Sequence, residues 1–475
     1  KQLPETQSRM RFFLRTWIPY VAASLFFLIW RVFIFSFQTY QPKLLDKLTE
    51  NPLAGLREVG TKILRDLITV CLTVWRKTLN QPTGRTEQIT YFALIAGVFL
   101  LCLWALRAIR DTTPANAPEQ TSEKLTAAIT KQILLCGVIA LLAGGIPFWA
   151  TLLDVETSFP WDRSTIAFSP GVALLAAPLI ALIFRSLPQL LAVAALTALA
   201  IGAHFANATV YRDEALKMND YFWQLAWRAP GLEEGTILVS DQIPLNRTSD
   251  GDLTPVVNWQ YAPDLSGNRY QYKYFDLDLR ESQFFSDPQP GQEISHDYRS
   301  HTFRSNMDKV LAIFYREKSC LWVVTETERD YPGLPESLWR LAAISNPELI
   351  LTDPIEAATP PAPIGAEPEH TYCYYFQKTS LALQRQEATE ALEFARNAID
   401  ADLEPFDPVD WIPLIKAFVI NQEWEQAGNL SEKIGGNSGQ TEFLCRQLTA
   451  LDTDKTQPAY AALLQRSGCG NIVNN

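Results

Sequence analysis

The chain reads as an α-helical membrane domain of about five spans, followed by an extracytoplasmic mixed α/β domain and a short helical tail. Three observations predict this. Residues 166–184 and 190–207 are two apolar runs joined at Arg185, the only charged residue between Thr165 and Asn207. Each approaches the ~20 residues that a helix needs to cross about 30 Å of hydrocarbon at ~1.5 Å per residue, so together they predict a helical hairpin in a bilayer. From about residue 208 onward the composition turns polar, acidic and punctuated by Pro and aromatic residues. Charge divides at the same place: residues 1–205 carry 19 Lys and Arg against 12 Asp and Glu, and the remainder carries 22 against 40. A part this acidic has no electrostatic attraction for nucleic acid, and the bilayer is the expected partner of the first part.

Taken in order, the first span is residues 17–37, with aromatic side chains at both ends, where amphipathic rings favour the interface. Arg31 within it has two readings: an intramembrane cation that meets a polar cavity or an anionic lipid phosphate, and a snorkelling side chain. Residues 44–79 then place Leu53, Leu56, Val59, Ile63, Leu67, Val70 and Val74 at intervals of three and four, while Arg57, Glu58, Lys62, Arg65, Asp66, Arg76 and Lys77 supply charge. That pattern predicts a helix lying in the plane of the interface. Further spans are residues 89–106 and 133–153, and the hairpin closes a membrane domain of residues 1–207. Arg9, Arg11, Arg15, Arg107, Arg110, Lys124, Lys131 and Arg185 fall on one face, which the Lys/Arg excess marks as cytoplasmic. The C-terminal part then lies outside, in an oxidising compartment. The chain begins at Lys1 with no signal peptide ahead of the first span, and an upstream portion is expected.

The external loop 154–165 is the best candidate for chemistry in this half. Asp154, Glu156 and Asp162 are the candidate catalytic carboxylates, with Arg163 and Arg31 as candidate substrate-binding cations. Carboxylates, the Trp161 indole and a guanidinium at the outer boundary suit a sugar, a divalent metal ion or a lipid-linked phosphate. A solvated loop anchored by Trp161 is the alternative.

In the second half, residues 208–227 predict a helix ended by Ala229, Pro230 and Gly231. Residues 235–245 predict a short buried strand and loop, 254–263 a short helix, and 270–279 an alternating strand. Residues 310–326 read as a hairpin turning at 316–319, 334–343 as a helix, and 370–378 as another alternating strand. This gives a mixed α/β domain over residues 208–378, with a Pro- and Ala-rich linker at 353–369. Residues 379–475 turn helical. Trp411, Leu414, Phe418 and Ala427 stand at offsets like those of TPR helical hairpins, and Ala391 precedes Ala427 by nearly one repeat, which makes a protein partner one expectation for this tail.

No cofactor signature appears: there is no G-x-S-x-G, phosphate loop or G-x-G-x-x-G, and His204, His296, His301 and His370 lack ligand spacing. Asp241, Asp250 and Asp252 flank a segment that suits either a Ca²⁺ or sugar site or an ordinary turn. Cys71, Cys102 and Cys136 lie in apolar segments, while Cys320, Cys373, Cys445 and Cys469 lie in the acidic part. Cys320 and Cys373 sit in predicted strands of one sheet or facing layers and are expected to form a disulfide. Cys445 with Cys469 is a second pairing.

The WRVF-type first span, the FPWDR loop, the WQLAWRAPGL stretch, NWQYAPD, CLWVV, HTYCYYF and the helical tail together resemble a family of large multi-span bacterial membrane proteins of cyanobacterial and Chloroflexota type. Such proteins look like GT-C-type glycosyltransferases. That resemblance implies a bacterial cytoplasmic or thylakoid membrane and a polyprenyl-phosphate-linked sugar used at the outer face. It also implies a catalytic acid in an early external loop, for which this sequence shows no clear counterpart. A non-catalytic envelope scaffold with partner-binding soluble modules is the alternative.

Overall fold

The computed structural model describes residues 6–30, 34, 43–112, 119–159, 161–241, 245, 247–298, 300–434 and 437–471. The described chain is mostly helical, with a small mixed sheet. Its first helices are α1 (Thr6–Ile29), α2 (Lys43–Glu50), α3 (Pro52–Cys71), α4 (Arg85–Thr112), α5 (Glu119–Thr151), α6 (Ser169–Ile183) and α7 (Leu187–Arg228). Among the described residues four helical segments are long and apolar enough to cross a membrane: Arg85–Arg110, Ala127–Thr151, Asp162–Ile183 and Leu187–Arg228. The expected first span, residues 17–37, is described only in part. Its residues 17–29 lie in α1, and most of the rest, Arg31 included, falls outside the described residues.

The chain divides into two compact units, Lys1–Lys77 with Thr113–Gln189, and Thr78–Thr112 with Leu190–Asn475. In the first, α5 and α6 pack closely because glycines remove the Cβ at the crossing. A Cβ on Gly144 would lie 2.3 Å from the carbonyl oxygen of Ala167, and one on Gly171 would lie 2.4 Å from the backbone nitrogen of Leu141. Small residues that let helix backbones approach are the usual device where lipid supplies no hydrophobic drive for association. Around this crossing Val70, Leu141, Trp149, Val155 and Phe168 form a small core.

The single amphipathic helix expected over residues 44–79 is instead three pieces: α2, α3 and a 3₁₀ turn at Thr73–Leu79. Asn51 ends the first piece and caps the second, its side-chain oxygen accepting from Ala54 N at 3.3 Å, while Pro52 opens the new helix without needing an N–H partner. The facing of α3 also differs from an ordinary amphipathic helix. Gly55, Lys62, Asp66 and Val70 are its buried residues, whereas Leu53, Leu56, Leu64 and Ile68 point outward. Water penalises that arrangement and hydrocarbon favours it.

In the second unit α7 runs on as one helix from its apolar half into the core of the α/β layer. Tyr221, Phe222 and Leu225 pack there against Leu238, Tyr274, Leu311 and Ile313. The layer holds β1 (Ile237–Ser240), α8 (Asp250–Tyr261), β2 (Lys273–Asp276), α9 (Leu277–Arg280), the hairpin β3 (Glu293–Tyr298) and β4 (His301–Asn306), then β5 (Val310–Phe314), β6 (Trp322–Val324) and α10 (Glu336–Leu341). The four-stranded order is β2-β1-β5-β6, with β1 parallel to β2 and β5, and β6 antiparallel to β5. Asn258 of α8 locks the edge strand: its Nδ2 donates to Tyr272 O at 2.8 Å and its Oδ1 accepts from Tyr272 N at 3.0 Å.

The expected strand at 370–378 is a correction, because those residues open α11 (Tyr372–Gln384). Tyr372 and Phe376, four apart, are both buried, so helical spacing accounts for what read as alternation. The tail continues as α12 (Ala388–Asp400), α13 (Ile412–Ile420), α14 (Trp424–Ile434), α15 (Ser438–Thr449) and α16 (Pro458–Arg466). One continuous core joins the sheet to these helices, from Ile237 and Phe314 through Phe376 to Phe418 and Phe443. Asp410 fastens that junction, its carboxylate accepting from Trp322 Nε1 at 2.7 Å and Cys320 N at 3.0 Å.

Candidate functional site

The polar face of α3 meets the loop after α5. Asp66 is fully buried, and its Oδ2 accepts from Trp149 Nε1 at 3.1 Å and lies 3.4 Å from Lys62 Nζ. Lys62 Nζ donates to Asp154 Oδ1 at 3.0 Å, and the Arg65 guanidinium donates to the same oxygen. Arg65 Nε also stands 3.8 Å from Asp66 Oδ1. Two cations and two carboxylates thus alternate, from a dry floor to an open rim. The Lys62 side chain is 6 % exposed and that of Asp66 0 %, whereas Asp154 is 55 % exposed and Arg65 61 %.

Helical geometry makes the floor: Lys62 and Asp66 are four apart and share one face of α3. The rim is held by the ammonium hydrogen bond from Lys62, which, with the charges of Lys62 and Arg65, keeps the Asp154 carboxyl below its usual range. Asp154 is therefore ionised at neutral pH and partly reachable. Arg65 and Lys62 beside it can pair with an arriving oxyanion.

Of the residues singled out from the sequence, the structure brings only Asp154 into this cluster. Glu156 is exposed and accepts from Ser158 Oγ at 3.0 Å. Asp162 Oδ1 accepts from the Arg163 backbone N at 3.0 Å at the start of a second 3₁₀ turn, Asp162–Phe168, and Arg163 is exposed. Arg31 lies outside the described residues. Lys62, Arg65 and Asp66 read as the charged face of a surface helix; the i, i+4 pairing of Lys62 with Asp66 was the available signal of something more. Trp149 gave none.

In the second unit Cys320 and Cys373 are joined, with Cα atoms 5.2 Å apart, and Cys445 and Cys469 are joined with Cα atoms 5.5 Å apart. Cys373 contributes from the first turn of α11, not from a strand. Asp250 and Asp252 lie in the first turn of α8, where Asp252 accepts from Ser249 N at 3.0 Å and completes a capping box. Asp250 holds Arg280, which donates through Nε at 2.6 Å, and the Ser337 hydroxyl donates to Asp241. Among the described residues no group of three or more His, Cys, Asp or Glu is arranged to hold a metal ion. Comparison with protein-family models, curated proteins and solved structures finds no match to this chain.

Proposed function

We propose that the chain is an integral membrane protein that acts on a phosphate-bearing lipid, with Lys62, Arg65 and Asp154 at its reacting centre. The observation that carries this reading is Lys62 Nζ at 3.0 Å from a half-exposed Asp154, beside the Arg65 guanidinium, on a helix whose apolar residues face outward. The two cations pair with the phosphate of a polyprenyl-phosphate-linked sugar. Asp154 accepts the acceptor hydroxyl proton as the new C1–O bond forms and the C1–O(phosphate) bond breaks, and the bonding pair leaves on a phosphate that Lys62 and Arg65 neutralise. Asp66 and Trp149 hold Lys62 in place. Both carboxylates are already matched by cations, a donor set that does not fit a divalent ion.

The two disulfides of the second unit support an extracytoplasmic side for it, since such bonds persist in oxidising compartments. A bacterial cytoplasmic or thylakoid membrane is the matching location. The test is transfer from a polyprenyl-phosphate-linked sugar by the full chain in proteoliposomes. Asp154→Asn is expected to lower turnover by about 10²- to 10⁴-fold, the usual contribution of a general base. Equal turnover by wild type and variant counts against the mechanism.

The second reading is a non-catalytic envelope scaffold. It is favoured by the single core that fuses the TPR-like tail to the sheet and leaves Phe406 70 % exposed on the tail. No turnover, with capture of a defined envelope protein that is lost in Phe406→Ser, is the result this reading expects.

A further inference from the structure

A cleft of about 260 Å³ opens in the second unit where the chain enters β1. Two contacts at Gly235 fix its walls. Ser305 Oγ donates to Gly235 O at 2.6 Å, and Gly235, at φ +90°, gives its own N–H to Gln271 O at 2.9 Å. This ties β4 and the segment before β2 to the start of β1. The same segment runs beside β4, with Tyr270 N donating to Thr302 O at 2.9 Å and Thr302 N to Asn268 O at 2.8 Å. Arg269 thus pairs with Thr302, and alternation along β4 puts Arg304 on the face of Thr302, so both guanidinium groups line the cleft. Lys309 is the third cation of the lining, and Glu234 is its carboxylate.

These four charged groups differ in what already holds them. Arg304 donates to Asp297 through Nη1 at 2.6 Å and Nη2 at 3.2 Å, and Lys309 pairs with Glu233. Asp297 and Glu233 lie outside the lining, so they position the two cations, and each cation keeps donors beyond its pair. Arg269 and Glu234 are exposed, and among the described residues neither side chain makes a hydrogen bond or an ion pair. Opposite charges that line one cleft and leave each other unpaired are served together by a ligand that brings an anion to the arginines and hydrogen-bond donors to the carboxylate. Gln271 and Asn306 add side-chain amides that match hydroxyl groups, and Tyr270, stacked on His301 at 4.5 Å between ring centroids, adds an aromatic wall. Among the described residues no aliphatic side chain lines the cleft, so an apolar ligand has little to bury against. The volume falls just under the roughly 300–1,000 Å³ of pockets for drug-sized molecules, which leaves room for one or two sugar rings.

We infer that this cleft binds a small sugar carrying one anionic group, a carboxylate or a phosphate, with Arg269 receiving the anion and Glu234 a ring hydroxyl. The site lies in the second unit and does not depend on the reading given to the Lys62 cluster.

The test is calorimetric titration of the full chain, in a detergent without a sugar headgroup and at constant ionic strength, for wild type, Arg269→Gln and Glu234→Gln. The titrants are glucuronate, a hexose phosphate, glucose and inorganic phosphate. Both replaced side chains are exposed and unpaired, so the variants are expected to unfold at the wild-type temperature. Saturable binding of glucuronate that weakens roughly 10- to 100-fold in Arg269→Gln, the range for lost hydrogen bonds to a charged group, and several-fold in Glu234→Gln supports the site with a carboxylate ligand. The same pattern for the hexose phosphate alone supports it with a phosphate ligand. Binding of neither anionic sugar at about 10 mM, or affinity unchanged in either variant, overturns the proposal. Glucose or inorganic phosphate bound as tightly as the anionic sugars overturns it as well.

Discussion

Lys62 and Asp154, ninety-two residues apart in sequence, meet at 3.0 Å, with Asp66 fully buried on the far side of the same ammonium. The lysine thus serves two carboxylates in different surroundings. Losing it leaves the exposed one to water and Arg65, and the buried one without its nearest cation. Lys62→Met is therefore expected to destabilise the first unit by about 3–5 kcal/mol, the usual cost of breaking a buried pair. Lys62→Met with Asp66→Asn is expected to recover most of it. Thermal unfolding in detergent measures both; equal loss in the single and double variants contradicts the pairing.

The α5–α6 crossing makes a steric prediction. Gly171→Ala puts a methyl group 2.4 Å from a backbone nitrogen, where no flexible side chain can give way. The helices must separate, and the variant is expected to unfold several degrees below wild type. Gly97→Ala, at a position with nothing within 4 Å, is expected to leave unfolding unchanged, and the pair of variants is read in one experiment.

Asp410 predicts a pH dependence. Burial pushes its carboxyl from 3.8 up to about 7, against the opposing hydrogen bonds from Cys320 N and Trp322 Nε1. A raised carboxyl pKa means that the folded state holds the proton more tightly than the unfolded state. The resulting stability is complete below about pH 4 and is lost as pH rises to about 7. Unfolding temperature of the second unit is therefore expected to fall between pH 5 and 7.5 more steeply in wild type than in Asp410→Asn. Parallel profiles exclude Asp410 as the source.

Replacing Cys320 and Cys373 by Ala removes a bridge spanning 53 residues, and replacing Cys445 and Cys469 removes one spanning 24. Chain-entropy arguments put each loss at about 2–4 kcal/mol, with the longer loop costing more by less than about 1 kcal/mol. Denaturant unfolding of the two double variants ranks them. A larger loss for Cys445 and Cys469 means that local packing, not loop length, sets the order.

Much of this architecture was legible because long apolar runs admit few interpretations: α4 to α7 fall where composition puts them, and β1, β5 and β6 follow from Val- and Ile-rich runs with a turn between. The hairpin β3–β4 was not legible, since its strands bury only Ile294 and Phe303 among charged and polar residues. HTYCYYF misled because a run of aromatic residues fits a strand's alternation and a helix's four-residue spacing equally well. The candidate site was half legible. Asp154 stood out as a carboxylate at a span end, but which face of α3 turns inward depends on the solvent around it. In lipid the charged stripe belongs inside, and periodicity alone does not carry that information.

The central claim is that Lys62 and Arg65 receive a lipid phosphate beside Asp154. Its most direct test is the affinity of the full chain, in nanodiscs, for a polyprenyl phosphate, compared with Lys62→Met, Arg65→Met and Arg163→Met. The account predicts saturable binding that weakens roughly ten-fold or more in each of the first two variants and is unchanged in the third. Binding that survives loss of both Lys62 and Arg65, or that depends on Arg163 instead, contradicts it.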